Sequence, residues 1–245
     1  MKILALDSSG LVASVAVMED DNLVAEYTVN YKKTHSQTLL PMLDEIANMI
    51  QLDLETIDAI AVAAGPGSFT GLRIGSATAK GLGLALNKPL VGVETVEALA
   101  YNLYDTQSWI CPIMDARRKQ VYTGIYANRN FEQETIMPQC AMGVEELIEK
   151  LNQEKQPVIF LGDGVAVYKE MILEKIQVPC SFAPAHLNKQ RAGAVAALGM
   201  KKFMEGKAEN ARDHQPDYLR VSQAERERAE REKKEQEERK EREGK

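Results

Sequence analysis

The chain has 245 residues, of which 44% are hydrophobic and 27% are charged, and its formal net charge is −6. This length can bury one large core or two modest ones, and this composition lies outside the disordered class. The apolar run behind Met1 is short and is interrupted by Asp7, and no stretch approaches the roughly 18 uncharged apolar residues of a membrane span. We therefore expect a globular, cytoplasmic protein with neither a secretory leader nor a membrane anchor.

The cysteines and histidines are too far apart in sequence for a locally built metal site. No Cys-x-x-Cys or His-x-x-x-His spacing occurs among Cys111, Cys140, Cys180, His35, His186 and His214. An odd number of scattered cysteines also argues against a disulfide framework. The pattern predicts buried free thiols and no metal site.

The charges are unevenly distributed along the chain. Residues 222–245 carry nine Glu, five Arg and four Lys, so this tail is neutral and the whole surplus of −6 lies in residues 1–221. An acidic globular part is a poor surface for binding a polyanion on its own. Within the tail, Glu repeatedly stands four residues before a base, which favours a solvated helix, with disorder as the alternative.

Residues 1–106 predict one lobe in which three strands precede alternating helices and strands. The turn signals Ser8-Ser9-Gly10 and Asp20-Asp21-Asn22 separate the strands of an antiparallel meander, and Ser36 is the expected N-cap of the first helix. The predicted elements are strands 3–6, 12–18 and 23–29, helix 36–51, strand 57–64, helix 71–86, strand 90–93 and helix 95–104.

Residues 107–221 predict a second lobe with a similar order. Asp7 and Asp115 each end an apolar strand before a hairpin. The predicted elements are strands 109–114, 121–127 and 131–137, helix 143–153, strand 158–161 and helices 165–176 and 190–205. This order predicts an α/β protein of two βββαβα lobes, the actin-like or ribonuclease-H-like class, with helix 190–205 able to pack back on the first lobe.

The glycine-rich segment 65–75 reads GPGSFTGLRIG and joins a predicted strand to a predicted helix. Such a position directs free backbone N–H groups and the positive end of a helix dipole at the turn, which suits an anion. The segment matches neither the Walker A nor the Gly-x-Gly-x-x-Gly pattern, so a tight turn that needs glycine is the alternative. Residues near an anion or nucleotide would be Asp7, Ser9, Gly10, Gly65, Gly67, Ser68 and Gly71.

The helix predicted over 71–86 carries small residues in two rows with a spacing of four. The rows are Gly75, Ala79 and Gly83, and Ala77, Gly81 and Ala85. Glycine inside a helix costs about 1 kcal/mol relative to alanine, so close approach of another backbone should offset it. That backbone belongs either to the chain's own sheet or first helix, or to a partner protein.

Several segments together resemble the bacterial TsaB (YeaZ) family over residues 1–221. The most specific is the segment 65–75. The others are Asp7-Ser8-Ser9, His35-Ser36-Gln37, Asp115-Ala116-Arg117 with Val121-Tyr122, and Pro216 with Tyr218-Leu219-Arg220. Ser8 stands where the family usually has Thr, and Lys119 where glycine is common.

The resemblance implies a non-catalytic scaffold subunit in tRNA N6-threonylcarbamoyladenosine synthesis. It implies pairing with TsaD, which transfers the carbamoyl group to adenosine 37, cooperation with the ATPase TsaE, and homodimers when TsaD is absent. It also implies no cofactor of its own, with ATP or ADP and Mg²⁺ bound only in the complex, and tRNA held only through the complex. The implied partner contacts are His35, Leu39, Leu43, Arg73, Ile74, Gly75, Ala79 and Gly83.

The alternative function is an actin-like ATPase or small-molecule kinase. Asp7 with Ser8-Ser9-Gly10 fits the first half of such a site, where a carboxylate holds Mg²⁺ and a hairpin clasps the phosphates. The second half does not fit, because Ala116-Arg117-Arg118-Lys119 follows Asp115 where a glycine-rich turn is expected. A protease is disfavoured because neither His-Glu-x-x-His nor Gly-x-Ser-x-Gly occurs.

Overall fold

The structure, a computed structural model, describes residues 1–31, 35–130, 132–220 and Arg231. Apart from Arg231, the predicted tail 222–245 lies outside the described residues. The strands are β1 (Lys2–Asp7), β2 (Ala13–Glu19), β3 (Asn22–Val29), β4 (Ala59–Gly65), β5 (Leu90–Glu94), β6 (Trp109–Asp115), β7 (Gln120–Arg129), β8 (Glu132–Gly143), β9 (Val158–Leu161) and β10 (Cys180–Phe182). The helices are α1 (Leu39–Ile50), α2 (Phe69–Leu86), α3 (Thr95–Ala100), α4 (Val144–Glu154), α5 (Gly164–Lys175) and α6 (Ala192–Met204).

The strands form two five-stranded sheets with the same topology. The first has the order β3-β2-β1-β4-β5 and the second the order β8-β7-β6-β9-β10. In each sheet the first three strands of the lobe pair antiparallel, and the two that follow pair parallel. The duplicated actin-like α/β fold predicted from the order of elements is therefore confirmed.

The first sheet is buried on both faces, which explains why β1 is apolar at every position from Ile3 to Leu6. Successive side chains of a strand point to opposite faces. Leu4 and Leu6 pack with residues of α1 and α2, whereas Ile3 and Ala5 pack with residues of α6. Helices on both faces place the start of α2 at the edge of the sheet where β1 and β4 end.

The last helix, α6, packs on the first sheet, where it contacts β1, β2, β4 and β5. Its first N–H groups have partners on neighbouring strands, because Ala192 N donates to Ser14 Oγ at 2.9 Å and Gly193 N donates to Glu26 Oε1 at 2.9 Å. Arg191 forms an ion pair with the same Glu26. The short helix α3 contacts β6 and β7 of the second sheet, so each lobe holds a helix from the other half of the chain.

Some local predictions were wrong. Ser36 lies in a short 3-10 helix (His35–Gln37), and the N-cap of α1 is Thr38. The prediction missed β10, which has only three residues and is not buried. In addition, α2 begins at Phe69 behind its N-cap Ser68, α3 ends at Ala100, and β8 continues to Gly143.

Candidate functional site

The glycines of the segment 65–75 lie where other backbone segments approach closely. A Cβ built on Gly65 would lie 2.2 Å from the carbonyl oxygen of Asp217, and Gly65 also has a φ of +127°. A Cβ on Gly67 would lie 2.3 Å from Ser9 O, and one on Gly71 would lie 2.0 Å from Ser8 O. Because real Cβ atoms do not approach oxygen this closely, only glycine fits at these three positions.

Two N–H groups of this segment have partners inside the chain. Ser68 N donates to Ser9 O at 2.6 Å, and Gly71 N donates to the N-cap oxygen Ser68 Oγ at 3.3 Å. The geometry therefore favours the tight-turn interpretation. An anion near Gly65, Gly67, Ser68 and Gly71 stays a prediction.

Asp7 is almost completely buried at the end of β1, with 1% of its surface exposed. Its Oδ1 accepts hydrogen bonds from Ser9 N at 2.8 Å and from Ser9 Oγ at 2.7 Å. Among the described residues, Asp7 Oδ2 has no hydrogen-bond partner. Burial raises the pKa of this carboxyl, although the Ser9 hydrogen bonds and nearby His35 act in the opposite direction. His35 itself donates from Nε2 to Gly10 O at 2.8 Å.

In the second lobe, Asp115 occupies the position at the end of β6 that Asp7 occupies at the end of β1. Its Oδ1 accepts from Arg117 N at 2.9 Å and from the Tyr168 hydroxyl at 3.0 Å. Burial and this hydrogen bond raise the pKa of Tyr168 to about 12. Asp163 Oδ1 accepts from Asp115 N at 3.1 Å, and burial raises the pKa of Asp163.

A cavity of about 430 Å³ lies between the lobes. Its walls include Ser9, Gly10, His35 and Ser68 from the first lobe, and Asp115, Arg117, Tyr122 and Asp163 from the second. Residues 217–220, which follow the last helix, form a third wall that we call the closing segment.

The closing segment connects both lobes. The Tyr218 ring stacks on the Phe69 ring with 4.3 Å between centroids, and the Arg73 guanidinium lies 4.2 Å from the Phe69 centroid. At the other side of the cavity, Arg220 Nη1 donates to Ala116 O at 2.7 Å. The N-terminus of α2 is thus flanked by an aromatic and cationic stack.

The side chains around the cavity do not fit a magnesium nucleotide. Asp7 is not part of the cavity wall, and one of its oxygens is engaged by Ser9. In the second lobe, the hairpin turn that would clasp phosphates carries the long side chains of residues 117–119. Among the described residues, no three His, Cys, Asp or Glu side chains lie close enough together to hold a metal ion.

Most of the residues expected to contact a partner lie in the core of the first lobe, and their part in a partner contact stays a prediction. Leu39, Leu43 and Ala79 are at most 4% exposed and pack against β1, β2 and β4. A Cβ on Gly75 would lie 2.5 Å from Ser8 Oγ, and one on Gly83 would lie 2.5 Å from Leu90 Cδ1. These two glycines let α2 approach its own sheet.

The other three predicted contacts are not in the deep core. His35 is partly exposed beside the cavity, and Arg73 is exposed within the stack with Phe69. Ile74 is partly buried against the core of the first lobe.

The second row of small residues on α2 is the exposed one. Outside its own helix, no described atom lies within 4 Å of a Cβ built on Gly81. We define the outer face of α2 as its exposed residues Thr70, Arg73, Ala77, Gly81, Leu84 and Ala85. The neighbouring helix α1 adds Leu40, which is 52% exposed, and Met49, which is 84% exposed.

The structure shows which of the two rows faces the core. Leu72 is the large apolar residue of α2 that is fully buried, and Gly75, Ala79 and Gly83 follow it at spacings of three, seven and eleven. Residues at these spacings share a helix face. Leu84 lies at the same spacings of three and seven from Gly81 and Ala77, so only the burial of Leu72 and the 51% exposure of Leu84 assign the first row to the core.

Comparison with known proteins adds to this description of an actin-like, two-lobed protein. Residues 22–228 match the family model described as "TsaD: tRNA N6-adenosine threonylcarbamoyltransferase". The tRNA threonylcarbamoyladenosine biosynthesis protein TsaB of Bacillus subtilis (strain 168) is 35% identical over 92% of this chain and 96% of its own length. TsaB of Escherichia coli (strain K12) is 28% identical over 90% of this chain and 95% of its own. The solved structure of YeaZ from Pseudomonas aeruginosa superposes with a TM-score of 0.76 at 27% identity, covering 89% of this chain and 99% of that one.

The chain therefore belongs to the TsaB family of tRNA threonylcarbamoyladenosine biosynthesis proteins, within the wider family that the threonylcarbamoyltransferase model describes. The family that the segment 65–75 and the other motifs predicted is confirmed. None of the helices that the structure describes is long and apolar enough to cross a membrane.

Proposed function

We propose that the chain works in threonylcarbamoyladenosine synthesis on tRNA as a non-catalytic subunit that pairs with TsaD. The outer face of α2 carries this proposal, because its small residues are not explained by packing inside the chain. Gly81 lies in the middle of an 18-residue helix, where glycine costs about 1 kcal/mol relative to alanine. A partner helix that approaches this face closely would offset the cost.

Large exposed apolar side chains support an interface at the same place. Leu40 and Met49 on α1 and Leu84 on α2 are each more than half exposed. Interface cores are depleted of charge and enriched in such apolar residues. The smooth outer face of α2 beside the protruding side chains of α1 would give a partner both a groove and anchors.

The chemistry around Asp7 supports the non-catalytic part of the proposal. A carboxylate that binds Mg²⁺ must be ionised and must face the ligand. Asp7 is buried outside the wall of the interlobe cavity, and Ser9 donates two hydrogen bonds to one of its oxygens. ATP or ADP and Mg²⁺ would accordingly bind elsewhere in the complex.

The remaining parts of the proposal extend to other molecules. TsaE would act as the separate ATPase, and two copies of this chain would pair through the same outer face when TsaD is absent. The tRNA would be held by the complex, since the net charge of this chain is −6. Work on tRNA would take place in the cytoplasm, and we propose that location for the protein.

The test is the mass of the complex formed with TsaD of the same organism. Ala77→Arg, on the outer face of α2, is expected to abolish pairing because a long cation would hold the two backbones apart. Ala166→Arg is the matched control, because Ala166 is an exposed alanine on α5 of the second lobe. Both variants should keep the circular dichroism spectrum of the wild type. A folded Ala77→Arg chain that pairs with unchanged affinity would refute the assigned surface, and a wild-type chain that does not pair would refute the proposed function.

A further inference from the structure

The chain that follows α6 runs back along α2 before it reaches the closing segment, and we call its residues 205–216 the strap. Ala211 of the strap is 4% exposed and lies against the last turns of α2, where a Cβ built on Gly83 would be 2.8 Å from Ala211 Cβ. Just beyond the strap, Tyr218 stacks on Phe69 in the first turn of α2. The strap and the closing segment therefore accompany α2 from its last turns to its first.

Lys80 joins the middle of the strap to α2. Its Nζ donates to Arg212 O at 2.9 Å and to His214 O at 2.9 Å. Hydrogen bonds from an ammonium group are roughly twice as strong as those between neutral groups. The Lys80 side chain thus binds two backbone carbonyls of its own chain, and no other side chain is needed to hold them.

The strap is also fixed to the first sheet on both sides of the Lys80 contact. Before this contact, Leu90 N donates to Glu209 O at 2.9 Å and Glu209 N donates to Leu90 O at 2.8 Å. The buried ring of His214 donates from Nδ1 to Glu209 Oε1 at 2.6 Å, which ties the strap to itself. After the contact, Asp217 N donates to Ala64 O at 2.7 Å.

The chain between Lys80 and the aromatic stack has little slack. From Phe69 to Lys80, α2 advances eleven residues, which is about 16 Å along the helix axis. From His214 to Tyr218 the chain advances only four residues, and four residues reach at most about 14 Å when fully extended. The side chains of Lys80 and Tyr218 bridge the remainder. A connection of this length cannot slide along α2 unless the helix moves with it.

The far end of this connection is held by the second lobe. Gln139 on β8 donates from Nε2 to Asp217 Oδ2 at 3.0 Å. Arg220 Nη1 donates to Ala116 O, which follows β6, at 2.7 Å. The second lobe is thus linked to the flank of α2 through the closing segment, the strap and Lys80.

We propose that Lys80 is a positioning residue for pairing. By binding the strap, it fixes α2 relative to the closing segment and the second lobe, in the orientation in which the outer face of α2 meets its partner. The inference rests on the proposed function, which assigns that face to TsaD. The second lobe then contributes to pairing through the strap, without a nucleotide in the interlobe cavity.

The test removes the ammonium group and keeps the helix. Lys80→Met retains an unbranched side chain of similar helix propensity. Lys80→Arg keeps a cation that can donate to both carbonyls. The matched control is Lys88→Met, because Lys88 Nζ also donates to a backbone carbonyl, that of Glu55 at 2.8 Å, which does not belong to the strap. Hydrogen exchange of the isolated chain reports on the strap, and titration with TsaD reports on pairing.

Lys80→Met should keep the circular dichroism spectrum of the wild type and loosen the strap. Exchange at the N–H groups of Glu209 and Asp217 should be about tenfold faster or more, which is the effect of losing a hydrogen bond to a charged group. The affinity for TsaD should fall by about fivefold or more, as is typical of coupled sites. Lys80→Arg should retain most of both properties, and Lys88→Met should leave both close to those of the wild type.

Each alternative role of Lys80 gives a different result. A looser strap with unchanged affinity for TsaD would mean that the strap serves stability alone, and this would overturn the inference. Weaker pairing with unchanged exchange would assign Lys80 to a direct contact with the partner and would overturn it as well. Equally weak pairing of Lys88→Met would indicate a general effect of charge, with the same consequence. A wild-type chain that does not pair with TsaD would instead overturn the proposed function.

Discussion

Replacing Gly81 by alanine is expected to stabilise the chain and at the same time to weaken its pairing. A Cβ at this position meets no described atom outside its own helix, so the new methyl group causes no clash. The helix gains about 0.8–1 kcal/mol from the replacement of an interior glycine. For a chain of this size, 1 kcal/mol raises the melting temperature by about 2–4 °C.

Gly83→Ala, two residues further along α2, should lower the stability of the chain instead of raising it. A Cβ on Gly83 would lie 2.5 Å from Leu90 Cδ1, 2.8 Å from Ala211 Cβ and 3.0 Å from Lys88 O. Forcing a methyl group into such a packed site typically costs about 1–3 kcal/mol, which exceeds the gain in helix propensity. Gly83→Ala should therefore lower the melting temperature. Since both changes are Gly→Ala within one helix, the difference reports only which face each residue occupies.

Thermal unfolding of the isolated chain and titration with TsaD measure the two effects. If a partner helix packs closely on the outer face of α2, the added methyl group should weaken the free energy of binding to TsaD by about 1.4 kcal/mol. This corresponds to about tenfold lower affinity. A Gly81→Ala chain that melts below the wild type would refute the described packing of α2. A more stable chain that pairs as tightly as the wild type would instead refute the outer face as the interface.

Three further predictions concern Asp7 and α1. The purified chain alone should neither hydrolyse ATP nor transfer a carbamoyl group, and turnover that survives purification but is lost in Asp7→Ala would contradict this. Burial raises the folded-state pKa of Asp7, so the folded chain binds more protons than the unfolded one and stability falls as pH rises above the ordinary Asp value. Asp7→Asn should accordingly melt at a higher temperature than the wild type at pH 7, and the two melting temperatures should converge at acid pH. A difference in melting temperature that is the same at all pH values would exclude the ionisation of Asp7 as its cause. On α1, Leu39→Ala should lower the free energy of unfolding by about 2–5 kcal/mol, because Leu39 is buried in the core. Leu40→Ala should change it by less than about 0.5 kcal/mol and weaken only the pairing, because Leu40 is exposed. Equal losses of stability in the two variants would contradict the assigned faces of α1.

The sequence predicted the arrangement of elements better than the ends of the elements. Strands such as β1 and β4 are buried on both faces, so their apolar runs stand out against the turn residues that bound them. Without such a run, β10 was missed, because three half-exposed residues that pair along one edge leave no periodic pattern. The duplication was visible only in the order of elements, since the topology recurs in the two halves without a shared sequence pattern.

The partner face was harder to predict because both rows of small residues on α2 satisfy the same spacing rule. The row of Gly75, Ala79 and Gly83 looked like a docking surface and serves instead for contact with the first sheet. The choice depends on which side of the helix the sheet occupies, and that is a tertiary property. The burial of Leu72 and the exposure of Leu84 settle it once the structure is known.

The segment that resembles the family most specifically is a structural junction. Gly65 fits against the carbonyl of Asp217, Gly67 against that of Ser9, and Gly71 against that of Ser8. Three parts of the chain that are distant in sequence thus meet at the start of α2. They are the turn between β1 and β2, the turn between β4 and α2, and the closing segment. A larger side chain at Gly67 or Gly71 would collide with the carbonyl of Ser9 or Ser8, so we expect it to displace the start of α2. The segment therefore matters for function because it fixes the orientation of the helix that is proposed to pair, and a substitution such as Gly71→Ala should impair pairing without touching the partner.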